Sequence, residues 1–280
     1  MSNVVGLSGI PETMLWTLHN RAVEAKRSDG ILHDPDCVRI YDSIDYDYER
    51  SFGKPSGIHA ERARIFDAAV RGWLREHPAG TVVELGAGLE TQFQRCDNGT
   101  VSWLCVDVEE SIAVRDRYLP AGPRCRHIPC SALDPRWIDE LAPGPVFLTA
   151  QGLFMYFDEP DVRGLITTIA ERLPGAELMF DTIPPLFSRM TMRGFAKTAN
   201  YTTPPMPWGI TPADLPVRLR AWTPRIVTVA VRNYSQPRGA SAPLLRLVSR
   251  IPLLRNQLPA ITKAAVKSDE FRPTMTDQLR

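Results

Sequence analysis

Gly86 and Gly88 stand in the run Val82-Val83-Glu84-Leu85-Gly86-Ala87-Gly88-Leu89-Glu90-Thr91, an apolar strand that breaks into a glycine turn. Glycines there allow a tight reversal and close approach of a ligand to the main chain, and Thr91 is placed to cap a following helix. A pyrophosphate-binding dinucleotide site calls for GxGxxG, and the third position here is Thr91, which disfavours NAD. The next apolar run, Trp103-Leu104-Cys105-Val106, ends in Asp107. An acid about 20 residues beyond a glycine turn is placed to accept hydrogen bonds from two ribose hydroxyls. Each signal has a plainer reading, a tight turn for the glycines and a helix-start acid for Asp107. A nucleoside ligand without pyrophosphate accounts for both.

Other chemistry is thin. The five histidines show no HxxxH or HxH spacing and the five cysteines no CxxC pair, so no metal is expected. The odd cysteine count (Cys37, Cys96, Cys105, Cys125, Cys130) fits reduced thiols better than a disulfide framework. No His-Asp pair or catalytic cysteine arrangement stands at a strand end, so no catalytic residue is assigned. Tyr156, Arg189, Arg193, Tyr201 and Trp208 follow the later strands and are candidates for a mixed substrate wall, with ordinary packing or surface exposure as the alternative for each.

These residues need elements to hold them. Helical spacing over Thr13 to Lys26 and over Ile58 to Glu76 predicts two amphipathic helices, the second ended by His77-Pro78-Ala79-Gly80. Strands are predicted at Thr81 to Leu85, Ser102 to Val106, Arg126 to Cys130, Val146 to Ala150 and Glu177 to Asp181, with a helix over Glu159 to Leu173. Strands alternating with crossovers imply an α/β, doubly wound, mostly parallel sheet whose ligands sit beyond the strand carboxyl ends. From Pro184 to Pro216 the chain reads as irregular; Arg225 to Arg232 reads as a late strand, and Leu244 to Leu258 as a helix broken by Pro252.

The ordered motifs resemble the leucine carboxyl methyltransferase-like proteins, which include bacterial polyketide carboxyl O-methyltransferases. Arg64-Ile65-Phe66-Asp67 and Val82 to Arg95 match the family's arginine-before-acid and VVxLGAGLDTxxxR patterns. Asp107 with Arg115, Ser131-Ala132-Leu133-Asp134 with Trp137, Gln151-Gly152-Leu153-Phe154-Met155-Tyr156, Thr17 to Glu24 with Asp34-Pro35, and Phe180-Asp181 extend the likeness over nearly the whole chain. The resemblance implies a Rossmann-like methyltransferase with S-adenosyl-L-methionine as cofactor. It implies a single domain over 1–280: an N-terminal helical lid (1–57), a cofactor-binding core (58–183), and a substrate-side insertion with late strands and tail (184–280). Cofactor contacts are then Arg64, on the methionyl carboxylate, with Glu84, Gly86, Gly88 and Asp107 at the turn and ribose. Ser131 and Ala132 lie against the adenine, and Gln151 and Gly152 at the methionyl end. An intrahelical Arg64–Asp67 pair is the alternative for Arg64, and Arg62 is expected to stay in solvent. Asn20 and Arg21 belong to a helix that covers the cofactor. Glu90, Gln151 and Ser131 depart from the family's usual Asp, Glu and Asp.

Substrate candidates narrow to Tyr156, Arg193, Tyr201 and Trp208. The expected reaction is O-methylation of a small molecule, a carboxylate of a polyketide-like or aromatic acid or a phenol, with a non-catalytic cofactor binder as the alternative. Hydrophobic residues at 44% and charged residues at 23% exclude wholesale disorder. Net charge is +1, yet Leu215 to Ser268 holds eight Arg, two Lys and no acid. That stretch lacks the aromatic interleaving of a single-strand binder, so no nucleic-acid partner is expected. With no leader-like start and no spanning apolar run, a cytoplasmic location and no membrane span are expected.

Overall fold

The computed structural model describes residues 7–234 and 251–269. A seven-stranded sheet forms the centre, in the order β3-β2-β1-β4-β5-β9-β8. Its parallel part comprises β1 (Thr81–Leu85), β2 (Ser102–Asp107), β3 (Cys125–Pro129), β4 (Val146–Ala150) and β5 (Glu177–Thr182). The edge is closed by β8 (Ile226–Asn233) and β9 (Ala260–Val266), with β9 antiparallel to both neighbours. The strand order reverses between β1 and β4, and in open sheets a crevice forms beyond the carboxyl ends of strands at such a point.

Short apolar runs become strands here because both faces are covered. On one face Val83, Leu85, Leu104 and Leu148 pack with Val162, Ile166 and Ile169 of α8 (Glu159–Arg172). On the other, Val82, Trp103 and Phe147 meet Ile65, Phe66, Val70 and Trp73 of α4 (Ile58–Glu76). Each such side chain, taken from water to a site such as that of Phe147 (0% exposed), contributes about 1.5–3 kcal/mol. A separate cluster joins α1 (Thr13–Ala25), α2 (Pro35–Ser43) and α3 (Tyr48–Phe52) through Leu15, Leu18, Ile40 and Phe52, and includes Leu89 of the glycine turn. Asp34 starts α2, its carboxylate accepting from the Cys37 amide at 3.0 Å with Pro35 at the first helical position.

Beyond β5 the sequence expectations need correction. The stretch read as irregular contains α9 (Pro185–Thr191), the hairpin β6 (Ala196–Thr198) and β7 (Tyr201–Thr202), and the start of α10 (Leu215–Trp222). β9 was not anticipated. Of the helix expected over Leu244 to Leu258, residues 244–250 lie outside the described ones, and what is described is a short helix, Pro252–Arg255. Among the described residues no helix is long and apolar enough to cross a membrane.

Candidate active site

Beyond the carboxyl ends of β1, β2 and β4 lies a cavity of about 280 Å³. Its floor is the glycine turn: Gly86 and Gly88 have φ of 67° and 44°, a region that L side chains rarely adopt. A Cβ on Gly86 would also stand 2.9 Å from Leu153 Cδ1, so that side chain would have to shift. Asp107 ends β2 and lines the same cavity. One of its carboxylate oxygens accepts the Gly88 amide and the other the Val108 amide, both at 2.8 Å. Burial pushes this carboxyl above its ordinary value, and the two amides pull the other way. Each oxygen keeps acceptor capacity for a ligand hydroxyl. Ser131, Ala132, Gln151 and Gly152 also line the wall.

Arginine placement reverses the sequence expectation. Arg62, expected in solvent, is 5% exposed and lines the cavity, whereas Arg64 is half-buried and is not part of the wall. Arg62 Nη1 donates to Asp181 at the end of β5 at 3.1 Å, and Asp181 also accepts the Gly152 amide at 2.5 Å. A Cβ on Gly152, whose φ is 68°, would lie 2.7 Å from the Arg62 guanidinium, so glycine at 152 makes room for it. Asp67 does not pair with Arg64: its carboxylate is taken by Arg95 at 2.7 and 2.9 Å and by Gln92 at 3.1 Å. The signal was present, because Arg62 shares the i, i+3, i+4 face of the buried Ile65 and Phe66 and Arg64 does not.

Glu84, Arg193, Tyr201 and Trp208 also need correction. Glu84 is 2% exposed but does not line the cavity; it accepts from Trp103 Nε1 at 3.3 Å, and burial pushes its carboxyl well above the ordinary range. Strand alternation explains this, since Glu84 points to the face opposite Leu85 and Val83. Trp208 belongs to the core, in ring contact with Phe154, Phe180 and Trp222. Tyr201 packs edge-on against Phe52 at 4.8 Å and borders a different cleft. Arg193 is exposed just after α9 and, like the exposed Arg189, is away from the cavity wall. Tyr156 does line the cavity, and burial raises its phenol to about 12.

Helix α1 lies against the glycine turn and the cavity. Thr13, Met14 and Thr17 of α1 form part of the cavity wall, and a Cβ on Gly88 would lie 3.2 Å from Met14 Cβ. Farther along α1, Asn20 bonds His59 at 2.8 Å, and the fully buried Arg21 donates to Glu90 at 2.8 Å, Thr91 at 3.0 Å and the Leu89 carbonyl at 2.9 Å. Arg95 in α5 (Gln92–Cys96) adds bonds to Asp34 at 2.7 Å and to Glu90 at 2.8 Å. Thr91 precedes α5 but its side chain does not cap it; the hydroxyl donates instead to Asp34 at 2.6 Å. Beneath the turn, Arg115 of α6 (Glu109–Tyr118) donates to the Gly88 and Glu90 carbonyls at 3.0 and 2.7 Å.

A test of cofactor fit lies in the orphaned groups. Both amide atoms of Gln151 and Nε of Arg62 are buried without a hydrogen-bond partner, a costly state unless a ligand supplies the missing contacts. A glycine turn, the Asp107 carboxylate at the end of β2 and an unpartnered guanidinium nitrogen of Arg62 in one cavity fit an amino-acid nucleoside such as S-adenosylmethionine. Fold and site therefore define a class, the doubly wound methyltransferases that use that cofactor.

The chain is 30% identical over 214 residues to the tetracenomycin polyketide synthesis O-methyltransferase TcmP of Streptomyces glaucescens, covering 75% of this chain and 78% of that protein. It is 24% identical over 201 residues to the S-adenosyl-L-methionine-dependent methyltransferase dpfgK of Gibberella zeae, covering 63% and 67%. A solved structure described as a possible exported protein from Bordetella parapertussis shares the fold, with a TM-score of 0.54 at 16% identity over 91% of this chain and 79% of that one. No family model matches the chain. The chain belongs to the polyketide O-methyltransferase family of S-adenosylmethionine-dependent enzymes.

Proposed function

We propose that this enzyme methylates a carboxylate of a small polyketide-like or aromatic acid. The observation that carries this reading is the lack of a free base at the Arg62–Tyr156 end of the cavity among the described residues. The titratable groups on the wall are Arg62, Glu90, Asp107, Glu110 and Tyr156, of which Glu110 is exposed in the first turn of α6, just after the Asp107 that ends β2. Glu90 is engaged by Arg21 and Arg95, and Asp107 by two amides at the turn. Tyr156, with its phenol raised to about 12, stays protonated at neutral pH and serves as a hydrogen-bond donor rather than a base. A carboxylate acceptor, with an ordinary pKa of about 4, is already ionised and needs no proton removed, whereas a phenol near about 10 does.

In this reading Asp107 holds the ribose hydroxyls, Ser131 and Ala132 bracket the adenine, and Arg62, in place of Arg64, takes the methionyl carboxylate through its planar fork. When bound, the cofactor supplies a methyl group on a positively charged sulfur. Gln151 orients polar atoms near the reacting end, and α1 excludes water through Met14. Alignment of this kind is worth up to about 7–11 kcal/mol of barrier lowering. The test is incubation with radiolabelled methyl donor and a panel of aromatic and polyketide acids and phenols. Label released as methanol by mild alkali supports the ester; an alkali-stable methyl ether as the sole product would reject the carboxylate.

A further inference from the structure

Away from the cofactor cavity, strand register brings together a set of soft ligands that linear spacing conceals. Parallel pairing sets Glu84 beside Cys105 and Cys105 beside His127, so one row crosses β1, β2 and β3 on a single face. Cys125 lies two residues before His127 and shares that face. The two thiol sulfurs are 3.8 Å apart, Cys125 Sγ is 4.0 Å from His127 Nε2, and Cys105 Sγ is 3.7 Å from Glu84 Oε2. The Cys105, Cys125 and His127 ligand atoms all fall within 4.8 Å of one another.

We propose that Cys105, Cys125 and His127 form a binding site for a thiophilic metal ion, zinc(II) before others, with the fourth tetrahedral position open to water and the Glu84 carboxylate standing beside Cys105. Two thiolates on a tetrahedral zinc, each about 2.3 Å from the ion, stand about 3.8 Å apart, which is the spacing found. The histidine is already oriented: its Nδ1–H donates to Asp116 at 2.7 Å, leaving the Nε2 lone pair toward the sulfurs, the carboxylate–histidine arrangement that positions metal ligands. Glu84 adds a buried carboxyl beside this cluster, its Oε2 contacting Cys105 Sγ and Trp103 Nε1 and its Oε1 without a partner. Charge agrees as well. The fully buried Arg115 guanidinium, with Nη2 unpartnered, is neutralised by no ion pair among the described residues. Two thiolates and a carboxylate offset that cation and a divalent ion together. Arg115 Nε donates to His127 Nε2 at 3.2 Å, and the metal displaces this one hydrogen bond.

The test uses the full chain, stripped with chelator under reducing conditions and titrated with zinc against a chromophoric competitor, then with cobalt(II) as a spectroscopic probe. One equivalent of zinc per chain is expected, and the cobalt form should show thiolate charge-transfer absorption with the visible bands of a tetrahedral ion. Cys105→Ser or Cys125→Ser, each removing one of two thiolates, should cut the charge-transfer signal by about half or more, and the double variant should abolish it. Asp116→Asn, at an exposed side chain and so suitable should the cysteine variants fail to fold, should weaken zinc binding by about 10- to 100-fold. Absence of stoichiometric zinc overturns the site, as does zinc affinity unchanged by Asp116→Asn. Isolation of the pair as a Cys105–Cys125 disulfide that takes up no metal after reduction overturns it too.

Discussion

Arg62 and Arg64 differ in role because two residues along a helix turn a side chain through about 200°. That rotation puts Arg62 among the buried face of α4, against Asp181 and over Gly152, and leaves Arg64 off the cavity wall. Losing a charged hydrogen-bonded contact costs about 1.5–3 kcal/mol, so Arg62→Ala should weaken S-adenosylhomocysteine binding by about 10- to 150-fold. Arg64→Ala should change it by less than about threefold, within the ordinary range for a residue outside the site. Arg62→Lys should also bind poorly, because an ammonium cannot reproduce the fork that spans Asp181 and a ligand carboxylate. Calorimetry on the three variants decides the matter, and an Arg64→Ala loss as large as that of Arg62→Ala would remove Arg62 from the role. At this scale Gly86, Gly88 and Asp107 were legible because turn chemistry and strand ends are local. Arg62 was equally legible in helical periodicity, but motif spacing pointed to its neighbour. For Tyr201 and Trp208 the sequence leaves pocket wall and packing both open, since an aromatic side chain serves either with the same chemistry, and the structure takes the packing alternative.

Elements were readable where burial is two-sided and unreadable where pairing decides. Of the five parallel strands, β1, β2, β4 and β5 are mainly apolar and buried while β3 (Cys-Arg-His-Ile-Pro) is only partly so, and the predicted limits of all five lie within a residue of those observed. β9, by contrast, is Ala260-Ile261-Thr262-Lys263-Ala264-Ala265-Val266, with three alanines and a lysine, and its strand state comes from pairing on both sides with β5 and β8. Helix α1 was legible as a helix, whereas its attachment to the turn through Arg21 and Glu90 depends on residues 69 apart in sequence. Burial opposes ionisation of Glu90, but Arg21 and Arg95 outweigh it and bring the carboxyl down to about 2 from an ordinary 4.5. A folded-state pKa below the unfolded one stabilises above about pH 4.5, and that contribution is lost as pH falls toward about 2. Glu90→Gln leaves two buried guanidinium groups short of a partner and should cost about 3–5 kcal/mol at pH 7. The gap between variant and wild type should narrow steadily between pH 4.5 and 2. Urea unfolding across that range checks the sign, and a gap that is constant or widens in acid would show that Glu90 is not held as an ion.

At the scale of the whole molecule, the candidate active-site cavity is built from parts far apart in sequence: α1 above, the glycine turn and Asp107 below, and Gln151 and Gly152 at one side. The buried charges Arg21, Asp34, Asp67, Glu90 and Arg95 tie α1, the start of α2, α4 and α5 to that turn. Opening α1 alone would strand Arg21 and Glu90 without each other, so the N-terminal helices and the sheet should unfold as one unit. A ligand that contacts both sides of the cavity then stabilises that unit as a whole. At 100 times its dissociation constant, S-adenosylhomocysteine contributes about 2.7 kcal/mol to the native state. In a chain of this size, that corresponds to an upward shift in melting temperature of about 5 °C or more. Calorimetric scans with and without ligand should therefore show a single transition that moves intact. Two transitions, of which ligand moves only one, would mean that α1 folds apart from the sheet and that the charge network does not couple them.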